Sequence, residues 1–340
     1  MEFSIFDYIN YYKDYSFKDI KFNSVDALIY SILAYMPLDR IREGSSIKSI
    51  NSTTSLIKTN GIKEVAIDLI RLMATSKRYE NVKAYNLVKI ENDDIEFGAI
   101  TFRDYDYTFV AYQGSIGTIA GWKENLYLTI NYPSLTQNEA LKYLKNTFRL
   151  KDRNLYIGGH SKGGNLALAS FMLSPNYITK RVVKVFNFDG PGFKEEEFKS
   201  ARYKELKDRM VNILPDGSMI GILLNHDKCE YIKSRNVSIE KHYPNNWAIF
   251  GEFFVKGELN KSSKNLHDKI ILGLSKLNYE ERKICIDTIF ELIKNKKVKS
   301  FKDFTNLNIE DIKSIVKNMK NMPQEKRKII FDVFKAFIKK

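Results

Sequence analysis

The spacing of apolar residues changes along the chain, and each change predicts a different kind of element. Ile5-Phe6-Asp7-Tyr8-Ile9-Asn10-Tyr11-Tyr12 and Val25-Asp26-Ala27-Leu28-Ile29-Tyr30-Ser31-Ile32-Leu33-Ala34-Tyr35 both have helical period. The second is almost wholly apolar and predicts a buried helix, with Asn23 or Ser24 as its cap and Pro37 just past its end. Residues 44–60 are polar, rich in Ser, Thr and Asn, and read as a mobile loop. Helical period returns over residues 65–75, where Val65, Leu69 and Leu72 share a face. The pattern then becomes that of strands over 82–89, 97–103 and 108–113, parted by polar turns at 91–94 and 104–106.

A helix is expected over 135–148, with Thr136 as N-cap and Glu139 at the capping-box position. Strand ends follow at 155–157, 182–188, 211–214 and 231–233, with a helix from Asn165 between the first two and an apolar helical stretch at 220–224. Alternating strands and helices predict an α/β domain, a mostly parallel sheet with helices on its faces. Beyond about residue 255 only helical period remains, over 266–294, 303–319 and 324–338. The expected organisation is an α/β domain at 1–255 followed by a helical extension at 256–340, with no internal repeat.

Composition narrows the function classes. Of the 340 residues 44% are hydrophobic and 13% aromatic, which is a globular balance and not a disordered one. No apolar run reaches bilayer length, and Met1-Glu2-Phe3-Ser4 opens without a basic leader, so a cytoplasmic location is expected. Cys229 and Cys285 are too few for a disulfide framework and lack ligand-spaced partners, so reduced thiols and no metal are expected. The net charge of +14 suggests an anionic partner. Its distribution argues against nucleic acid: from Lys256 onward 21 Lys+Arg face 11 Asp+Glu, nearly all of the cations scattered lysines without interleaved stacking aromatics. The segment 324–338 places Ile330, Phe331, Phe334 and Ile338 on one face, flanked by Lys326, Arg327, Lys335 and Lys339. Packing of this stripe onto the other C-terminal helices is the ordinary expectation; peripheral contact with an anionic membrane is the functional one.

Candidate chemistry centres on Gly158-Gly159-His160-Ser161-Lys162-Gly163-Gly164. Gly-x-Ser-x-Gly between a strand and a helix is the pattern of a nucleophile elbow, where a sharp turn presents the serine at a helix N-terminus. A serine nucleophile needs a base and a group that orients the base, and the expected chain order is Ser, acid, His. Of the four histidines, His242 follows the last expected strand on a loop and is the preferred base. His226 is its competitor, His160 reads as a packing residue, and His267 as an exposed residue at a helix start. The acid is expected at Asp216, in a Pro-Asp-Gly turn one strand later than Asp189, which is the alternative in Asp-Gly-Pro-Gly. Either aspartate can equally serve as ordinary turn chemistry. Oxyanion donors are expected from the backbone N–H of Lys162 and from Ser115, whose preceding Gly114 permits close backbone approach.

Phe109-Val110-Ala111-Tyr112-Gln113-Gly114-Ser115, with Gly121-Trp122-Lys123-Glu124-Asn125 after it, resembles the oxyanion strand of class 3 (fungal-type) lipases, and the Ser161 motif resembles the same family's Gly-His-Ser-x-Gly. The Phe22-Asn23-Ser24-Val25-Asp26-Ala27-Leu28 segment, the Asp189-Gly190-Pro191-Gly192 turn and the His242-to-Trp247 spacing resemble a related group of bacterial α/β-hydrolase-like proteins. The likeness covers about residues 1–255. It implies an α/β-hydrolase fold, supports Ser161, Ser115 and His242 by position, and keeps both aspartates in play. Two departures stand out: Gln113 replaces the usual arginine and Asn125 the usual aspartate, so an ion pair bracing the oxyanion loop is either missing or has become amide hydrogen bonding.

The expected function is therefore hydrolysis of a carboxylic ester, on a small molecule or a lipid, through an acyl-enzyme on Ser161, without a metal or organic cofactor. The alternative is a binding or scaffold protein that keeps the fold and its pocket with little or no turnover.

Overall fold

The structure is a computed structural model that describes residues 3–337, apart from 93, 117–118, 237, 296–307 and 320–321. Among these residues a seven-stranded sheet runs in sequential order: β1 (Lys83–Glu91), β2 (Glu96–Arg103), β3 (Thr108–Tyr112), β4 (Leu155–His160), β5 (Val182–Phe188), β6 (Met210–Pro215) and β7 (Cys229–Ile232). The first two pairings are antiparallel and β3 through β7 are parallel. With helices on both faces this is the α/β-hydrolase architecture that the sequence led us to expect.

Strand period explains how each face is covered. Phe109 and Ala111 of β3 point into a core shared with the N-terminal helices Ile5–Tyr12, Ser24–Leu33 and Ile62–Met73. Val110 and Tyr112 point the other way, against the helices Leu135–Thr147 and Lys162–Leu173. The N-terminal layer is locked by Asp26 and Arg78, a fully buried pair at 2.6 Å whose guanidinium also donates to the carbonyls of Ile20 and Lys21. A charge pair survives there because its remaining hydrogen-bonding capacity is satisfied.

Several local expectations are corrected. Residues 44–60 contain a helix, Ile47–Thr54, capped by Ser46 and burying Ile47 and Ile50. Only those two apolar anchors mark it in a polar stretch, too few for the period to show. The helix at 135 is capped by Ser134, with Gln137 completing the capping box in place of Thr136 and Glu139. Residues 220–224 form turns, not a helix.

The C-terminal segment forms helices Lys261–Ser275, Tyr279–Asn295, Ile309–Asn318 and Gln324–Phe337. The expected 266–294 helix is thus broken at residues 276–278, and the expected start at 303 lies outside the described residues. Ile330 is buried, and the Gln324–Phe337 helix packs on Lys261–Ser275 and Ile309–Asn318. Ile338, Lys339 and the side chain of Phe334 lie outside what is described. The extension touches two loops at the C-terminal edge of the sheet. Tyr127 donates to Asp287 at 2.6 Å and Arg282 to the Thr129 carbonyl at 3.2 Å, while His267 bonds the Ile222 carbonyl. Among the described residues no helix is long and apolar enough to cross a membrane.

Candidate active site

β4 ends at His160, and the chain turns directly into the Lys162–Leu173 helix with Ser161 as the N-cap residue. Ser161 has φ +59° and ψ −132°, a conformation that side chains avoid, and its N–H donates to the Phe188 carbonyl at 2.8 Å. Close packing imposes the turn. A Cβ on Gly159 would collide with the backbone of Gly163, and one on Gly163 would collide with the Tyr112 carbonyl and the Gly114 nitrogen. Strand, turn and the loop after β3 therefore lie in backbone contact. The first amides of the helix have no partner within it and point where negative charge is favoured.

Asp189, at the end of β5, is wholly buried with φ +50°. Its Oδ2 lies 2.6 Å from His242 Nδ1. Its Oδ1 accepts the Ser218 hydroxyl and, at 3.1 Å, the Gly221 N–H. The following residue, Gly190, is so close to the Ser161 carbonyl that a side chain there would overlap it. The structure therefore brings Ser161, Asp189 and His242 to one end of the parallel strands.

His160 supports this group without sharing its chemistry. Its ring lies 4.6 Å from that of His242, between centroids, at an interplanar angle of 36°. Nε2 lies 2.9 Å from the His242 carbonyl and Nδ1 3.2 Å from the Tyr35 hydroxyl. Burial, helped by the neighbouring His242, holds His160 well below the usual imidazole range, so it is neutral. A carbonyl only accepts, so Nε2 carries the proton and Nδ1 is the bare nitrogen, facing the Tyr35 hydroxyl, which donates at 3.1 Å to the His160 carbonyl. His160 thereby anchors the backbone of His242.

Asp216, named first as the acid, is not beside the imidazole. Its Oδ1 accepts a 2.7 Å bond from Lys241 Nζ, and its N–H donates to the Ile232 carbonyl. It ties down the residue before His242, as does Trp247, whose indole donates to the Lys241 carbonyl at 2.8 Å. The alternative acid, Asp189, is the one that meets His242. His226 has other partners: Nδ1 lies 3.2 Å from Asn212 Oδ1 and Nε2 2.6 Å from the Gly221 carbonyl. Burial pulls its pKa down to about 4. His267, expected to be exposed, is partly buried with Nδ1 2.7 Å from the Ile222 carbonyl. Both histidines hold the 217–226 loop that brings Ser218 and Gly221 to Asp189.

Across the turn lies the loop after β3. Gln113 is buried and its N–H donates to the Gly98 carbonyl at 2.8 Å. The Tyr35 hydroxyl packs so closely on Gly114 that a side chain there would overlap it, and burial pushes that phenol up. Asn125, on the Ile119–Tyr127 helix, donates from Nδ2 to Ser115 Oγ at 3.0 Å. An amide thus holds Ser115 where a carboxylate was usual. One further group has no local pattern to mark it: the Lys162 ammonium is buried against Glu96 and Glu124. Among the described residues no cluster of three or more His, Cys, Asp or Glu side chains is arranged to hold a metal ion.

Comparison with solved structures finds likeness to M37 lipase, at 14% identity over 58% of this chain and 68% of that one, with a TM-score of 0.38. A second likeness is to Lip2 lipase from Yarrowia lipolytica, at 11% identity over 58% of this chain and 80% of that one, with a TM-score of 0.37. No curated protein matches. Residues 73–291, well over half of the sequence and including β1–β7, Ser161, Asp189 and His242, match the model of the Mbeg1-like family, and the chain belongs to that family.

Proposed function

We propose that this protein is a serine hydrolase of carboxylic esters working through an acyl-enzyme. The observation that carries this reading is the 2.6 Å contact between His242 Nδ1 and the buried Asp189, beside a serine held at positive φ on a helix N-terminus. With Nδ1–H donated to Asp189, the neutral imidazole has its lone pair on Nε2, the form a general base requires. Ser161 Oγ attacks the ester carbonyl as His242 takes its proton, and the imidazolium is stabilised by the carboxylate. The N–H groups of Lys162 and Ser115 bind the oxyanion. Return of the proton to the alkoxide releases the alcohol and leaves Ser161 acylated. Water, deprotonated by His242, then frees the acid. Asp216 acts on His242 through the neighbouring Lys241, and His160 through the His242 carbonyl and the ring packed against it.

Steady-state hydrolysis of p-nitrophenyl esters of graded chain length, by wild type and Ser161→Ala, tests this reading. Wild type should turn over with burst kinetics or a defined kcat, and the variant should lose nearly all activity with its fold intact. Equal rates for the two proteins would exclude Ser161 as nucleophile. Absence of turnover on every ester would favour a binding role for the same pocket.

A further inference from the structure

Three charged groups lie out of solvent directly behind Ser161. The side-chain exposures of Lys162, Glu96 and Glu124 are 0%, 3% and 8%. Buried charges persist only where they are paired and hydrogen-bonded, so their connections state what they hold. Lys162 Nζ donates to the Glu96 carbonyl at 2.7 Å and to Glu124 Oε2 at 3.2 Å, and lies 4.0 Å from Glu96 Oε1. That Glu96 oxygen accepts the Ile116 N–H at 2.8 Å. The Glu96 carboxylate also lies so near Gly121 that a side chain there would overlap it. Glu124 Oε1 accepts the Thr136 N–H at 2.9 Å, the Thr136 hydroxyl and the Ser134 hydroxyl.

The ammonium therefore grips the loop after β3 just past Ser115, through Glu96 at Ile116 and Gly121 and through Glu124 one residue before Asn125. Neither Gln113 nor Asn125 can form an ion pair, so charge pairing reaches this loop from Lys162 instead. We propose that the Lys162 side chain is a positioning residue for the oxyanion pocket. Its backbone N–H and the Ser115 loop, the two sources of oxyanion donors, become parts of one ion-paired unit whose spacing is set by the Lys162–Glu96–Glu124 cluster. This inference rests on the ester-hydrolase reading. Donors misplaced by an ångström lose a large share of their effect on the transition state while ground-state binding is little changed.

Glu124→Gln is the decisive variant, because it leaves Lys162 and Glu96 as a balanced pair. The amide oxygen can keep the Thr136 bonds, which turns its NH2 toward the ammonium. Lys162→Met, which strands two carboxylates, is the harsher companion. Amide hydrogen exchange over residues 113–127 and ester kinetics are measured on the full chain. For Glu124→Gln, exchange over 113–127 should quicken without change in the 162–173 helix. Its kcat should fall about 10- to 100-fold, with KM within roughly twofold. Unchanged kcat and unchanged exchange in a folded Glu124→Gln would overturn the proposal, as would a lowered thermal midpoint alone. If wild type hydrolyses no ester, the ester-hydrolase reading fails on its own, and the exchange pattern still decides whether the cluster holds the loop.

Discussion

Replacing Asp189 by asparagine separates the two aspartates that the sequence could not rank by contact. The Asp189 carboxylate has two sides. One accepts the Ser218 hydroxyl and the Gly221 N–H, the other the His242 Nδ1–H. In Asp189→Asn the amide oxygen is required on the first side, where two donors converge, so the NH2 group faces His242. A donor there forces Nδ1 to accept and moves the imidazole proton to Nε2, which removes the lone pair needed to deprotonate Ser161. The shape and most hydrogen bonds survive, so the fold should too. A tautomer trap of this kind costs on the order of 10⁴-fold in kcat, about 5.5 kcal/mol of transition-state stabilisation. Asp216→Asn breaks instead a partly exposed ion pair with Lys241, a contact of about 1 kcal/mol or less, and should change kcat/KM only a few-fold. Ester kinetics at saturating substrate, with circular dichroism as a fold check, read both effects. A folded Asp189→Asn with wild-type kcat, or an inactive Asp216→Asn, would refute the assignment.

Two further outcomes follow from the histidines. His160 and His226 are both held below the ordinary imidazole range by burial, His226 at about 4. The unfolded chain therefore binds more protons than the folded one between pH 6.5 and about 4. Their contribution to stability is complete above pH 6.5 and is lost as pH falls through that window, by up to about 3 kcal/mol for His226. Urea midpoints at pH 7.5 and 5 should differ in that sense, and equal midpoints would contradict it. His267→Ala removes the bond from the C-terminal extension to the Ile222 carbonyl, next to the residue whose N–H meets Asp189. It should cost about 1 kcal/mol, quicken exchange over 217–226 and lower kcat a few-fold; exchange at the wild-type rate would show that the extension does not brace this loop.

What the sequence made legible was whatever depends on local pattern. Ser161 between strand and helix, the strands around it, and Ser115 after β3 all follow from period and glycine placement. His242 follows from chain order and its position on a loop. The choice between Asp189 and Asp216 was not legible, because both stand before glycine at a strand end. What separates them is the sheet: β5 pairs directly with β4, so Asp189 emerges beside Ser161, while Asp216 emerges from β6, one strand further on. The Lys162 cluster was hidden for a related reason. A lysine in the first turn of a helix, with its glutamate partners 66 and 38 residues earlier, has the local look of a solvated charge. Likewise, nothing in the sequence around His267 marks the carbonyl it meets, 45 residues away.

The activated state of Ser161 is the central claim, and covalent capture tests it most directly. Wild type treated with a fluorophosphonate and digested should yield one stoichiometric adduct, on the peptide that carries Ser161. Ser161→Ala should give none, and His242→Ala should label slower by on the order of 10³-fold or more. An adduct at another residue, or undiminished labelling without His242, would contradict the proposed nucleophile and base.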